Sequence, residues 1–106
     1  VGRDAVISDS IITEGCEIYG TVIRSVLSND VVVEEGAVVT DSVIMANTHI
    51  GKDAKINYAI LDENITVETG ATVGEAKETA KGIAVIGNGC TVEAGATVEA
   101  GAMISE

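Results

Sequence analysis

The chain has 106 residues, with 6 Lys plus Arg against 17 Asp plus Glu and a formal net charge of −11. That length holds one domain, and that charge excludes the basic patches that grip nucleic acid or anionic membrane. Hydrophobic residues make up 46%, which excludes a disordered acidic tail, yet Trp, Phe and Pro are absent and only two Tyr are present. A core without large rings has to be built from Val, Ile and Ala. No apolar run reaches the roughly 18 residues of a membrane span, and no charged-then-apolar leader is recognisable. Two cysteines, Cys16 and Cys90, are too few for a disulfide framework and too isolated for a zinc knuckle. The expected setting is soluble, reducing and cytoplasmic.

In chain order, residues 1–9 (VGRDAVISD) match the second half of a later unit, residues 33–41 (VEEGAVVTD). Five units come next: 10–24 (SIITEGCEIYGTVIR), 25–41 (SVLSNDVVVEEGAVVTD), 42–58 (SVIMANTHIGKDAKINY), 59–75 (AILDENITVETGATVGE) and 84–100 (AVIGNGCTVEAGATVEA). Four are 17 residues long and the first is 15. The chain thus opens in the middle of a repeat, which is the expectation for a C-terminal piece of something longer. Residues 75–83 break the rhythm, with the run GEAKETAKG around them. They are expected to form an inserted corner loop or a short helix on one outer face.

Within the units, aliphatics recur at Val1, Ile7, Ile12, Ile18, Val22, Leu27, Val33, Val39, Ile44, Ile50, Ile56, Leu61, Val67, Val73, Ile86, Val92, Val98 and Ile104. Most steps are six, with a five where one side is short. A helix needs steps of three and four, a strand steps of two. A step of six fits a three-sided coil in which each short strand supplies one inward aliphatic before the chain turns. Three residues after an aliphatic, in the full steps, stand Asp4, Gly15, Asp30, Gly36, Asn47, Asp53, Asn64, Gly70, Gly89, Gly95 and Gly101. These are the residue types that accept positive φ at least cost. The next position is usually small (Ala5, Cys16, Ala37, Thr48, Ala54, Ala71, Cys90, Ala96, Ala102), so that corners stack. The expectation is a single all-β domain over residues 1–106, a parallel β-helix of five to six coils, about 25 Å tall at ~4.8 Å per coil. The end coils expose strand edges, so association at the N-terminal end is expected.

Candidates for chemistry are sparse. His49, the only histidine, precedes inward Ile50 and should point outward, with no acidic partner assignable from the sequence. Cys16 and Cys90 read as stacking filler. The carboxylates, among them Glu34, Glu35, Asp62, Glu63, Glu93 and Glu99, recur with the repeat and read as a solvated face. Gly87-Asn88-Gly89 follows the corner rule and is no phosphate loop. Arg3, Arg24, Lys52, Lys55, Lys77 and Lys81 are scattered, and Glu75 and Glu78 offset the two lysines of the insertion. No catalytic, cofactor-binding or metal-binding residue is assigned.

The irregular spacing carries a resemblance. Gly15-Cys16-Glu17-Ile18-Tyr19-Gly20-Thr21-Val22, Ser25-Val26-Leu27, Gly36-Ala37-Val38-Val39 and Ser42-Val43-Ile44-Met45 run in sequence. Ile50-Gly51-Lys52-Asp53-Ala54, Ala59-Ile60-Leu61-Asp62 and Lys81-Gly82-Ile83-Ala84-Val85-Ile86-Gly87 come after them. This succession resembles the C-terminal left-handed parallel β-helix of bacterial glucose-1-phosphate adenylyltransferases. The resemblance implies the handedness, a longer parent that makes ADP-glucose and pyrophosphate from ATP and glucose 1-phosphate for glycogen synthesis, and Mg²⁺ in a separate catalytic domain. It also implies partners: other subunits, the parent's own N-terminal domain and sugar-phosphate effectors. Many members carry Lys where Glu63 stands, which puts an effector at that spot in question. A non-catalytic subunit of the same family and a hexapeptide acyltransferase working through His49 are the alternatives; the Ile83-Ala84-Val85-Ile86-Gly87 stretch leans toward the catalytic kind.

Overall fold

The computed structural model describes residues 2–105. Seventeen strands of two or three residues wind into three parallel sheets, and no helix occurs among the described residues. Face A carries β1 (Val6–Ser8), β4 (Thr21–Ile23), β7 (Val38–Thr40), β10 (Lys55–Asn57), β13 (Thr72–Gly74) and β16 (Thr97–Val98). Face B carries β2 (Ile11–Ile12), β5 (Val26–Leu27), β8 (Val43–Ile44), β11 (Ala59–Leu61), β14 (Ala84–Ile86) and β17 (Met103–Ile104). Face C carries β3 (Glu17–Ile18), β6 (Val32–Val33), β9 (His49–Ile50), β12 (Thr66–Val67) and β15 (Thr91–Val92). Each strand pairs with the strand three places away in the chain, so the molecule is a three-sided parallel β-helix of about six turns. It measures 32 × 28 × 22 Å.

The inward column of each face is the aliphatic series read from the sequence. Ile18, Val22, Leu27, Val33, Val39, Ile44, Ile50, Ile56, Leu61, Val73 and Ile86 are fully buried. At the two ends the series meets water: Ile7 is 38% and Ile104 39% exposed. Both sit on the outermost strand of their face, so one side of the slot has no stacked neighbour. Val1 lies outside the described residues.

The corners explain the glycine, asparagine and aspartate rule. Ten of the eleven positions take positive φ, from Asp53 at 58° to Gly36 at 81°. Asp4 does not, although its turn closes with the same bond as the Gly36 and Asp53 corners, the Ala5 N–H donating to the Gly2 carbonyl at 3.2 Å. A second set of left-handed residues, Asp9, Arg24, Asp41, Tyr58 and Gly74, marks the tight corner between faces A and B. It is here that the aliphatic step shortens to five. Arg and Tyr are unusual in this conformation, and a ladder of serine hydroxyls along the same corner offsets the strain. Ser10, Ser25 and Ser42 each donate to the carbonyl two residues back. Their hydroxyl oxygens accept the amides of Ser25, Ser42 and Ala59 in the next coil at 3.0–3.1 Å. The ladder pins coil to coil along the tight edge, and no buried side-chain N or O among the described residues lacks a partner.

The 15-residue unit loses its corner between faces C and A. The chain cuts inside there at Gly20, where a Cβ would collide with the carbonyls of Ala37 and Glu34 in the next coil. Residues 75–83, between β13 and β14, hold one unextended helical turn, with the Ala80 amide donating to the Ala76 carbonyl at 2.9 Å.

Replacing fully buried Ile44 by Ala should cost about 2–5 kcal/mol in urea titration, and Ile7→Ala, at a wet end, well under half as much. Gly20→Ala should also destabilise, because its Cβ meets backbone rather than a movable side chain. Equal losses for Ile44 and Ile7 would contradict the stacked column.

Candidate functional site

Two surfaces bring chemistry-bearing side chains together. On face C, β6 and β9 pair with Val32 opposite His49, which sets the residue after β6 diagonally beside the imidazole. The result is a 2.7 Å hydrogen bond between His49 Nε2 and Glu34 Oε2. His49 points outward as expected, but Glu34 is a half-buried partner rather than a free solvated carboxylate. Aligning the coils by sequence shows which residues lie opposite one another and hides this diagonal pair. Its one sequence signal is an offset of 15 residues within a 17-residue repeat. Beside His49 lies a shallow depression of about 330 Å³ lined by Gly51, Thr66, Val67, Glu68, Thr69 and Ala94. Gly51 is needed there, since a Cβ would sit 2.8 Å from the Val67 carbonyl oxygen. Glu68 closes one rim by accepting the Ala94 amide at 3.1 Å. The same face holds Glu17, whose carboxylate accepts the Tyr19 hydroxyl at 2.9 Å and raises the phenol above its ordinary pKa. With Glu93 just after β15, face C carries four carboxylates along its length, Glu17, Glu34, Glu68 and Glu93.

The second surface is the edge between faces A and B. The Arg24 guanidinium donates to both oxygens of Asp41 at 2.7 and 3.1 Å. The inserted segment leans back along this edge and brings Lys77 Nζ to 3.8 Å from the same carboxylate. Lys77 is therefore engaged with a protein carboxylate. The hydrogen bond from Arg24 is the main cause that holds the Asp41 carboxyl below its ordinary range, and Lys77 adds to it. Asp41 in turn pushes Arg24 up, with smaller help from Glu78 and Asp9.

The other candidates stay apart. Cys16 donates to the Ser28 carbonyl at 3.0 Å, and Thr48, in the same corner column, makes the matching bond to Asp62. Cys90 is buried in that column, and both thiols are free. The amides of Gly87 and Gly89 are taken by the carbonyls of Ile104 and Glu63, so they form coil contacts and no anion cradle. Arg3, Lys52, Lys55 and Lys81 are exposed and separate. Glu63 is exposed with its amide tied to Asp62 Oδ1 at 2.7 Å, and Glu35, Glu93 and Glu99 are exposed as well. Among the described residues no three His, Cys, Asp or Glu side chains converge to hold a metal. No helix among the described residues is long and apolar enough to cross a membrane.

These features define a hexapeptide-repeat β-solenoid whose chemistry is spread over flat outer faces. Residues 1–92 match the profile of the GlmU-like, C-terminal hexapeptide family, and the chain belongs to that family. Among curated proteins it is similar to the glucose-1-phosphate adenylyltransferase of Parafrankia sp. (strain EAN1pec), 42% identical over 101 residues, covering 86% of this chain and 24% of that protein. The enzyme of the same name from Bacillus cytotoxicus (strain DSM 22905 / CIP 110041 / 391-98 / NVH 391-98) is 40% identical over 79 residues, 74% of this chain and 21% of its own. That of Corynebacterium jeikeium (strain K411) is 44% identical over 73 residues, 68% of this chain and 18% of its own. The chain spans about a fifth of the length of these curated relatives.

Because the folded Asp41 carboxyl is held below the unfolded value of about 3.9, its stabilisation is present above that pH and lost as pH falls. Asp41→Asn should therefore be less stable than the parent near neutral pH, with the gap closing in acid. Urea titrations at pH 6 and pH 3 test this, and a gap independent of pH would exclude the pairing as its source.

Proposed function

We propose that this chain is the assembly and regulatory β-helix of a longer glucose-1-phosphate adenylyltransferase. The parent joins ATP and glucose 1-phosphate into ADP-glucose, releasing pyrophosphate, in cytoplasmic glycogen synthesis. The observation that carries this reading is the similarity to three adenylyltransferases across 68–86% of the chain. ATP, glucose 1-phosphate and Mg²⁺ belong to the remaining part of such an enzyme. The β-helix brings subunits together and relays sugar-phosphate effectors. Glu63, exposed and anionic, is a poor seat for such an effector.

A second reading, acyl transfer with His49 as general base, draws on the 2.7 Å bond to Glu34 beside the face C depression. With Nε2 donating to Glu34, Nδ1 is left to accept a proton, as a base requires. Against it, His49 is half exposed. The Gly51 and Ala94 amides at the depression are also already given to the Val67 carbonyl and Glu68, so neither is free for an oxyanion.

The chain alone should release no pyrophosphate from ATP and glucose 1-phosphate, whereas the full reading frame that contains it should. A full reading frame without that activity overturns the first reading. Acyl transfer to an amine by the chain, abolished in His49→Ala, would establish the second.

A further inference from the structure

Face C carries a second column of outward positions, one residue beyond each strand. From coil to coil it reads Tyr19, Glu34, Gly51, Glu68 and Glu93. Gly51 is the one gap in that column, and the depression of about 330 Å³ lies over it. The following pair of coils shows what the gap leaves unused. There the Glu68 carboxylate accepts the amide of Ala94, one step further along in the next coil, at 3.1 Å. Register makes Gly51 the counterpart of Glu68 and Thr69 the counterpart of Ala94. The Thr69 amide lines the depression where such a carboxylate would sit, and it has no acceptor among the described residues. A Cβ on Gly51 would stand 3.0 Å from this nitrogen. Around the same spot are the exposed Thr66 hydroxyl and the second oxygen of Glu68. The His49 ring, held by its bond to Glu34, completes the rim.

We propose that the gap at Gly51 is a binding site for a neutral molecule with adjacent hydroxyls, a sugar ring or an open-chain polyol. The free amide and the carboxylate beside it select that class together. A hydroxyl accepts through its oxygen and donates through its hydrogen, so one such group satisfies both Thr69 and Glu68. A neighbouring hydroxyl reaches Thr66 or the ring nitrogen of His49 that Glu34 leaves unused. An anion would use the amide but meet Glu34, Glu68 and Glu93 on a chain of net charge −11. A cation would suit the carboxylates but repel the amide N–H. The volume lies at the low end for small-molecule sites, enough for one ring or a short chain. About a dozen heavy atoms in so open a place bind on the order of millimolar. No bond is made or broken in this site. The inference goes beyond the assembly role proposed above, and its test reads binding by the chain rather than turnover.

Amide NMR of the isotope-labelled chain, titrated with glucose or with sorbitol into the tens of millimolar, tests this directly. Saturable shifts are expected at the Thr66, Thr69 and His49 amides, and the tighter probe tells a ring from an open chain. Thr69→Pro deletes the donor and keeps the turn. The Ala71 amide closes that turn on the Glu68 carbonyl at 3.2 Å with Gly70 at φ 73°, a type II geometry that favours proline at its second position. The variant should weaken binding at least about 5-fold, read at Thr66 and His49. Ala100→Pro takes the same position in the turn that the Ala102 amide closes on Glu99 at 3.1 Å, and it should change binding less than about two-fold. Glu68→Gln keeps the side-chain shape, removes the charge and should also weaken binding at least about 5-fold, a second reading independent of the proline. No saturable shift with either probe overturns the proposal. Binding unaltered by both Thr69→Pro and Glu68→Gln overturns it, and so does acetate or methylammonium shifting the same amides at lower concentration than either polyol.

Discussion

Every coil of this molecule commits its backbone amides and carbonyls to the coils beside it, and everything else is subordinate to keeping those ladders in register. A register that repeats every 17 residues leaves one inward slot per side, too narrow for a ring and well filled by Val, Ile or Leu. It also requires the same backbone angles at the same place in each turn. That is why Asp30, Asn47 and Asn64 stack in one corner column and take φ near 60°. Where the register is broken, the chain answers locally. The short coil narrows to Gly20, against carbonyls that tolerate no Cβ. The extra residues 75–83 are extruded at the tight corner, where the ladders on both sides close without them.

The same constraint decides where chemistry sits. The inward slots are filled by Val, Ile and Leu, so functional groups lie on flat outer faces, spaced by the coil repeat. Face C gathers carboxylates and the lone imidazole, the A–B edge gathers the arginine, the aspartate and the inserted lysine, and face B gathers no charge but Asp62. Such a molecule is suited to holding surfaces at fixed spacing more than to enclosing a substrate. That agrees with a family whose relatives are several times longer than this chain.

The architecture was legible because a step of six with Gly, Asn or Asp at the bends has few other physical meanings. The tight corner was less so. Its left-handed residues, Asp9, Arg24, Asp41 and Tyr58, do not belong to one side-chain class, and only the shortened step and the serine after three of them betray it. The His49–Glu34 bond was illegible for a different reason, since it joins diagonal neighbours of adjacent coils. Lys77, placed by sequence in a polar insertion, turns out to lean on Asp41, 36 positions earlier.

By itself the sequence determined the number of sides, the residues that point inward and the places where the chain bends, because these follow from periodic local preferences that each unit repeats. The tertiary structure alone decided which outward groups meet. Side chains from different coils come together only after register, twist and the path of the insertion are set, and none of those distances is written in any one unit.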